Sequence, residues 1–163
     1  IQHLVVSAGK RIELGEGLYF DVLAPEKDSN GRLADDRALV LKLVYEEWSI
    51  LFTSDAGFET EKQLLEAGVN LQADVWIRGQ HSKSPSGLPA FLDAISPQVV
   101  ISSHANFPAK EAIPERLRKS LGERGIPLFD DHRHGMVSLF VEPRKIRISS
   151  FRLPGEGANF FKK

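Results

Sequence analysis

Asp55, His81 and His104 are residues of metal-binding type, and each follows an apolar run in the sequence. The runs are "SILF", "VWI" and "VVI", which are typical of short buried strands. In α/β proteins, ligands bind beyond the carboxyl ends of such strands, so the three side chains are candidates for one shared site. A carboxylate and an imidazole there could hold one divalent cation, because zinc and manganese accept mixed nitrogen and oxygen donors.

Each of these residues also has an ordinary structural interpretation. Aspartate is a favoured helix N-cap, and a helical pattern begins shortly after Asp55. A lone histidine such as His81 is more often a partly exposed loop residue, and His104 with Asn106 could simply lead into the next helix. Spacing alone leaves both interpretations open at each position.

The densest polar cluster is "DDHRHG", residues 130–135. His132 and His134 are two positions apart, so an extended backbone would point both to one face, where Asp130 or Asp131 could complete a metal site. The predicted strands on both sides favour a hairpin instead, because Asp, Gly and other polar residues are typical of its loop.

The composition limits the classes of protein to which the chain can belong. The 163 residues include no cysteine, which excludes disulfides, thiolate metal sites and cysteine nucleophiles. The apolar runs are far shorter than a membrane-spanning helix, so we expect a soluble domain over residues 1–154 and a flexible C-terminal tail over residues 155–163. Because the chain begins at Ile1 in strand-like sequence, we expect it to be cut from a longer protein.

The apolar pattern changes along the chain. Up to residue 55 it predicts short strands separated by glycine, proline or turn signals, and from Phe58 onward helices alternate with strands. The predicted helices cover residues 58–70, 87–96 and 109–125, and Pro114 is expected in the first turn of the third. This order predicts an α/β fold, in which helices pack outside mixed β-sheet layers.

Basic residues are concentrated towards the C-terminus. Residues 1–108 contain 9 Lys and Arg against 15 Asp and Glu, whereas residues 109–163 contain 12 against 7. Arg116 and Lys119 on the third predicted helix, and Arg144 and Arg147 near the last strands, are candidates for contacts with nucleic-acid phosphates. Surface charge also serves solubility, so the pattern does not establish a partner.

Several motifs in a fixed order resemble those of a known family. The segments "LVLKLVYEEWSILFTSD", "EKQLL", "ADVWIRGQHSKSPSG", "FLDAISPQVVIS" and "DDHRHGMV" are similar, over about residues 37–141, to the metallo-β-lactamase-like domain of ComEC-type competence proteins. In that family the corresponding motifs include "LTGD" and "ADVLKVGHHGS". The resemblance implies that the chain forms the C-terminal half of an αββα sandwich.

The resemblance also implies roles for two residues. The aspartate of "GD" falls on Asp55 and the second histidine of "HHGS" falls on His81, so both are expected metal ligands, for zinc or manganese in the intact protein. Gln80 and Lys83 depart from the family pattern, and the histidine-rich N-terminal half that supplies most ligands has no counterpart here. We therefore expect that this chain alone binds metal weakly at most and does not catalyse hydrolysis.

The functional expectations follow from that resemblance. The chain would be a domain of a longer protein of the bacterial plasma membrane that takes up or processes DNA during transformation, either as part of a nuclease or as a degenerate pseudoenzyme. Its expected partners are the missing N-terminal half or membrane domain, and single-stranded DNA. The alternatives are a nucleic-acid-binding module without chemistry and an assembly module that forms a homodimer.

Overall fold

The computed structural model describes residues 5–27, 37–79, 86–104 and 112–162. In these ranges the chain forms ten strands and four helices. The strands are β1 Arg11–Gly15, β2 Leu18–Ala24, β3 Val40–Tyr45, β4 Trp48–Phe52, β5 Val75–Arg78, β6 Val99–Ser102, β7 Leu128–Asp130, β8 Val137–Glu142, β9 Lys145–Ser150 and β10 Ala158–Phe161. The helices are α1 Phe58–Glu66, α2 Pro89–Ile95, α3 Glu115–Glu123 and α4 Asp131–His134.

Seven strands form one mixed sheet in the order β1-β2-β3-β4-β5-β6-β7. The first four strands form an antiparallel meander, and β4 to β7 run parallel. Parallel neighbours need a crossover, and α1, α2 and α3 lie in the three crossovers. Strand β4 therefore joins an antiparallel half of the sheet to a parallel half.

The three crossover helices cover one face of the large sheet. Leu64 of α1, Phe91 of α2 and Leu117 of α3 belong to one buried cluster with sheet residues such as Trp76. The indole of Trp76 meets the ring of Phe91 edge to face, with 5.9 Å between centroids. Since these helices contribute one apolar stripe each, this layer forms the larger core of the domain.

A second sheet of three strands, in the order β10-β9-β8, covers the other face. Ile146 and Ile148 of β9 pack against Val99 and Phe129 of the large sheet. At one end of this layer, Nε1 of Trp48 donates a hydrogen bond of 2.9 Å to the backbone oxygen of Glu142. The fold is therefore a helix layer, a mixed sheet and a smaller sheet, which confirms the predicted α/β class.

The structure differs from the sequence prediction at the C-terminal end. Residues 155–163 were expected to form a flexible tail, but Ala158–Phe161 form β10 and pair with β9. Ala158 and Phe160 pack against the second core, and that burial gives this short strand its place. Helix α3 also begins later than predicted, at Glu115, with Pro114 as its N-cap residue.

In the ranges that the structure describes, no helix combines the length and the apolar character needed to cross a bilayer.

The exits of β4 and β5 are in close contact. Gly79 follows β5, and a Cβ atom on it would lie 2.0 Å from the backbone oxygen of Ser54. Ser54 itself has a φ of 49°, in the left-handed region, where the chain turns away from β4. Only glycine therefore allows the two turns to pack at this distance, and the contact fixes the position of the Asp55 turn.

We predict that Gly79→Ala lowers the free energy of unfolding by about 1–3 kcal/mol, because one of the two turns must move. Gly122→Ala is the matched control, since a Cβ there meets no atom within 4 Å. That exposed helical position should gain about 0.5–1 kcal/mol from the same change. Urea denaturation of both variants measures the difference, and equal effects would contradict the proposed contact.

Candidate functional site

Four polar turns lie at the carboxyl edge of the parallel strands. The exits of β4, β5, β6 and β7 lead to Asp55, to residues 80–85, to His104 and to Asp131. The ladder aligns these exits, since Arg78 pairs with Ser102 and Ser102 with Asp130. His81, together with Gln80 and Lys83, lies outside the described residues. The structure thus places Asp55 and His104 at the predicted edge of the sheet and leaves the position of His81 untested.

Asp55 is half-buried, and its Oδ1 accepts a hydrogen bond of 3.1 Å from Oγ of Ser54. The alternative role as a helix cap is wrong. The N-cap residue of α1 is Gly57, and no side chain caps this helix. The carboxylate of Asp55 is therefore not committed to holding the helix that follows it.

His104 is a buried imidazole with unsatisfied nitrogens. Its side chain is 1% exposed, and neither ring nitrogen has a hydrogen-bond partner in the part of the chain that the structure describes. Nδ1 lies 3.6 Å from Oδ1 of Asp131. A buried polar group without a hydrogen bond costs about 1–3 kcal/mol, so an external partner at this edge would relieve a real penalty.

Asp131 links the exits of β6 and β7. Its carboxylate accepts hydrogen bonds from Oγ of Ser103, at 2.7 Å, and from the backbone nitrogen of His104, at 3.1 Å. The ring of His132 lies 5.9 Å from that of His104, measured between centroids. Asp131 remains 45% exposed at its side chain, so it can still reach a ligand from solvent.

The other half of the "DDHRHG" cluster is structural. Asp130 accepts a hydrogen bond of 2.7 Å from the backbone nitrogen of Arg133 and so caps α4. His134 is buried, and its Nδ1 accepts a hydrogen bond of 3.0 Å from the backbone nitrogen of Asp130. The expected hairpin is wrong, because α4 carries the chain from one sheet to the other. His132 and His134 do not share an extended face.

The donors at this edge do not amount to a metal site by themselves. Asp55, His104 and Asp131 offer the oxygen and nitrogen atoms that zinc and manganese accept. However, within the described ranges no group of three His, Asp or Glu residues is placed to hold a metal ion. Since a protein zinc site uses three or four ligands, no catalytic step through a metal follows from these residues alone.

Two buried charges lie beside the exit of β5. Arg78, the last residue of β5, is 1% exposed, and its Nε donates a hydrogen bond of 2.7 Å to Oγ of Ser86. Glu61 of α1, also 1% exposed, accepts hydrogen bonds from the backbone nitrogens of Gly87, at 2.6 Å, and Leu88, at 2.8 Å. Both ends of residues 80–85 are therefore anchored by buried ionic side chains.

Burial shifts the pKa values of both groups. Loss of water raises the pKa of Glu61 to about 7, against the two backbone hydrogen bonds and the charges of Arg78 and Arg116. Burial lowers the pKa of Arg78 to about 10, and nearby Arg118 lowers it further, while Glu61 opposes the shift. Sequence analysis missed both roles, because Glu61 suits a first helical turn and Arg78 ends an apolar strand.

The four candidate nucleic-acid residues lie on opposite layers of the domain. Arg116 and Lys119 are on α3 in the helix layer, whereas Arg144 and Arg147 belong to the β8–β9 turn and β9 of the second sheet. Lys119 lies 3.8 Å from Glu123, and the guanidinium of Arg116 lies 4.3 Å from the ring centroid of Phe58. The four residues therefore do not form one continuous surface.

Comparison with known proteins places the chain beside a bacterial competence protein. It is 26% identical over 144 residues to competence protein ComA of Neisseria gonorrhoeae, covering 83% of this chain and 20% of that protein. The chain thus spans about a fifth of the length of this relative. No family model matches the chain.

Two solved structures share the fold. The metallo hydrolase Igni18 of the archaeon Ignicoccus hospitalis superposes with a TM-score of 0.54 at 14% identity, covering 98% of this chain and 61% of that one. A mutant of the CmlA beta-hydroxylase gives a TM-score of 0.54 at 14% identity over 78% of this chain and 32% of its own. These two likenesses concern the fold alone. Together with the competence protein, they confirm the resemblance to a ComEC-type metallo-β-lactamase-like domain.

Proposed function

We propose that this chain, which resembles the metallo-β-lactamase-like domain of ComEC-type competence proteins, is the C-terminal part of such a domain in a longer protein. The observation that carries the proposal is the carboxyl edge, where polar turns follow four neighbouring parallel strands. The longer protein would lie in the bacterial plasma membrane and take part in the uptake or processing of DNA during transformation. Single-stranded DNA is the partner that this role implies.

In this proposal Asp55 and His81 contribute to a divalent metal site whose other ligands come from outside the chain. The metal, zinc or manganese, would supply Lewis acidity and a nucleophilic water for phosphodiester hydrolysis. The part played by this chain is to hold a carboxylate at the strand edge, with the contact between Gly79 and Ser54 fixing its turn. Without the remaining ligands the chain is catalytically incomplete or degenerate.

We predict that the isolated chain binds zinc and manganese with dissociation constants no tighter than the micromolar range and shows no phosphodiesterase activity. Residual binding should weaken at least tenfold in Asp55→Ala and in His81→Ala, because each removes a donor. Asp93→Ala is the control, since this exposed α2 carboxylate pairs with Arg124 on the helix layer. Nanomolar zinc binding together with turnover would contradict an incomplete site, and calorimetry with an activity assay distinguishes these outcomes.

An apolar groove marks where the rest of the longer protein would dock. It encloses about 370 Å³ and is lined by Leu18, Leu43, Tyr45, Trp48, Ile50 and Val141. The groove lies on the β2–β4 part of the large sheet, beside the outer strand β8 of the second sheet. We propose that the missing half covers this groove, and that in the isolated chain a second copy does so, giving a homodimer.

We predict that the isolated chain sediments as a dimer at high concentration and that Tyr45→Glu shifts it towards monomer, because a carboxylate in the groove cannot be desolvated cheaply. Lys119→Glu, which adds the same negative side chain on α3, should leave the dimer intact. Sedimentation equilibrium measures both variants. A wild-type chain that stays monomeric at every concentration would rule out self-association through the groove.

The second candidate function is nucleic-acid binding without chemistry, favoured by the outer face of the second sheet. There the guanidinium of Arg147 lies 4.3 Å from the ring centroid of Phe140, and Nζ of Lys145 lies 5.7 Å from that of Phe161. Both rings are exposed. Exposed aromatic rings interleaved with cations suit single strands, because bases stack on the rings while the cations approach the phosphates.

We predict that single-stranded oligothymidylate binds the chain at low salt and that the Arg144→Ala, Arg147→Ala double variant binds at least tenfold more weakly. The slope of log affinity against log salt should become shallower by about one unit for each phosphate that the variant no longer neutralises. The matched double variant on α3, Arg116→Ala with Lys119→Ala, should bind nearly as tightly as the wild type. Fluorescence anisotropy against salt tests this, and equal weakening in both variants would remove the second sheet as the binding face.

A further inference from the structure

The segment that returns from residues 80–85 to the sheet is held by an unusual arrangement of buried charge. Glu61 lies on α1, yet its carboxylate accepts hydrogen bonds from the backbone nitrogens of Gly87 and Leu88, at 2.6 and 2.8 Å. Leu88 is the N-cap residue of α2, which has no side-chain cap of its own and begins with Pro89. Glu61 therefore caps α2 from a different helix.

The same segment is fixed from two further sides. Arg78 donates hydrogen bonds to Oγ of Ser86, at 2.7 Å, and to Oγ of Ser102 on β6, at 3.1 Å. Gly87 has a φ of 90°, and a Cβ atom there would lie 3.0 Å from a methyl carbon of Leu117 on α3. Residues 86–88 are thus seated between α1, β5 and α3, with little freedom to move independently of Glu61.

We propose that Glu61 is a positioning residue: its ionised carboxylate fixes the start of α2, so that the metal affinity attributed to His81 depends on whether Glu61 carries a proton. The metal part of this inference rests on the proposed function, whereas the effect on residues 86–88 does not. An ionised carboxylate accepts one N–H bond on each oxygen. A proton on either oxygen converts it into a donor, and one of the two backbone nitrogens then loses its acceptor.

The surroundings of Glu61 set the pH at which this change occurs. The charged groups that face it are Arg78 from β5 and Arg116 from α3, and both favour the ionised form, as do the amides at the start of α2. Burial opposes them and raises the pKa to about 7. The folded state therefore holds this proton more tightly than the unfolded chain, whose glutamate titrates near 4.5. The stability contributed by the protonated form is present below about pH 4.5 and is lost as the pH rises through about 7.

The test uses the full chain and backbone amide NMR. In the wild type, the Gly87 and Leu88 amide signals should titrate with a midpoint near pH 7. At pH 8 their hydrogen exchange should be at least tenfold faster in Glu61→Gln, because the amide side chain offers one acceptor oxygen where the carboxylate offers two. Glu59→Gln, an exposed position of the same helix, should leave both amides unchanged.

Two outcomes would overturn the proposal. If the two amides do not titrate between pH 6 and 8 in the wild type, Glu61 does not change charge in contact with them. If their exchange in Glu61→Gln equals that in Glu59→Gln, the carboxylate does not hold the segment. The wild-type titration needs no variant, so it remains decisive even if Glu61→Gln fails to fold.

Manganese broadening of amide signals tests the link to the metal. At pH 8, half-maximal broadening should require at least fivefold more manganese in Glu61→Gln than in the wild type or in Glu59→Gln. Equal concentrations in all three would overturn the link between Glu61 and His81. If the wild type shows no broadening at millimolar manganese, the metal proposal itself fails, and the positioning of residues 86–88 is decided by the amide titration.

Discussion

The central parallel strands are buried on both faces, and this constraint determines where polar chemistry can occur. Val75 and Trp76 point to opposite sides of β5, and both are at most 1% exposed; Val99 and Val100 of β6 behave in the same way. One face meets the crossover helices and the other meets the second sheet. Since an unpaired polar group costs several kcal/mol inside such layers, ligand-binding side chains are confined to the strand ends.

Arg78 and Glu61 are exceptions that support the same principle. Each charge is almost fully buried, and removing a charge from water costs several kcal/mol before its new contacts are counted. Both charges use their contacts to fix residues 86–88, next to the exit of β5. An apolar side chain could fill the same volume but could not hold two backbone nitrogens. The energetic cost is thus borne where the backbone position matters most for the carboxyl edge.

The repeated elements of the fold could be predicted from the sequence, because each depends on local periodicity. The strands containing Ile50, Val75 and Val99, and the helices of Leu64 and Phe91, follow directly from the spacing of apolar residues. The "DDHRHG" segment could not be predicted in this way. A polar loop with Asp and Gly suits a hairpin and a helical passage between two sheets equally well, and only the core around Phe129 and His134 distinguishes them. Likewise, β10 depends on the second core for its pairing.

For the candidate site, sequence placed Asp55 and His104 at the correct edge but could not give their partners, which come from other strands. The contrast with other polar groups is informative. Asp74, at the opposite edge, accepts hydrogen bonds from Ser49, Gln98 and Lys162, and His134 is bonded to the backbone of Asp130. Of the buried side-chain nitrogens and oxygens in the described ranges, those without a hydrogen-bond partner are the two of His104. A fold that satisfies its polar groups elsewhere, and leaves this imidazole unsatisfied beside an exposed carboxylate, has unused binding capacity at the carboxyl edge. That edge is therefore where an outside ligand or the missing part of the protein would gain most by binding.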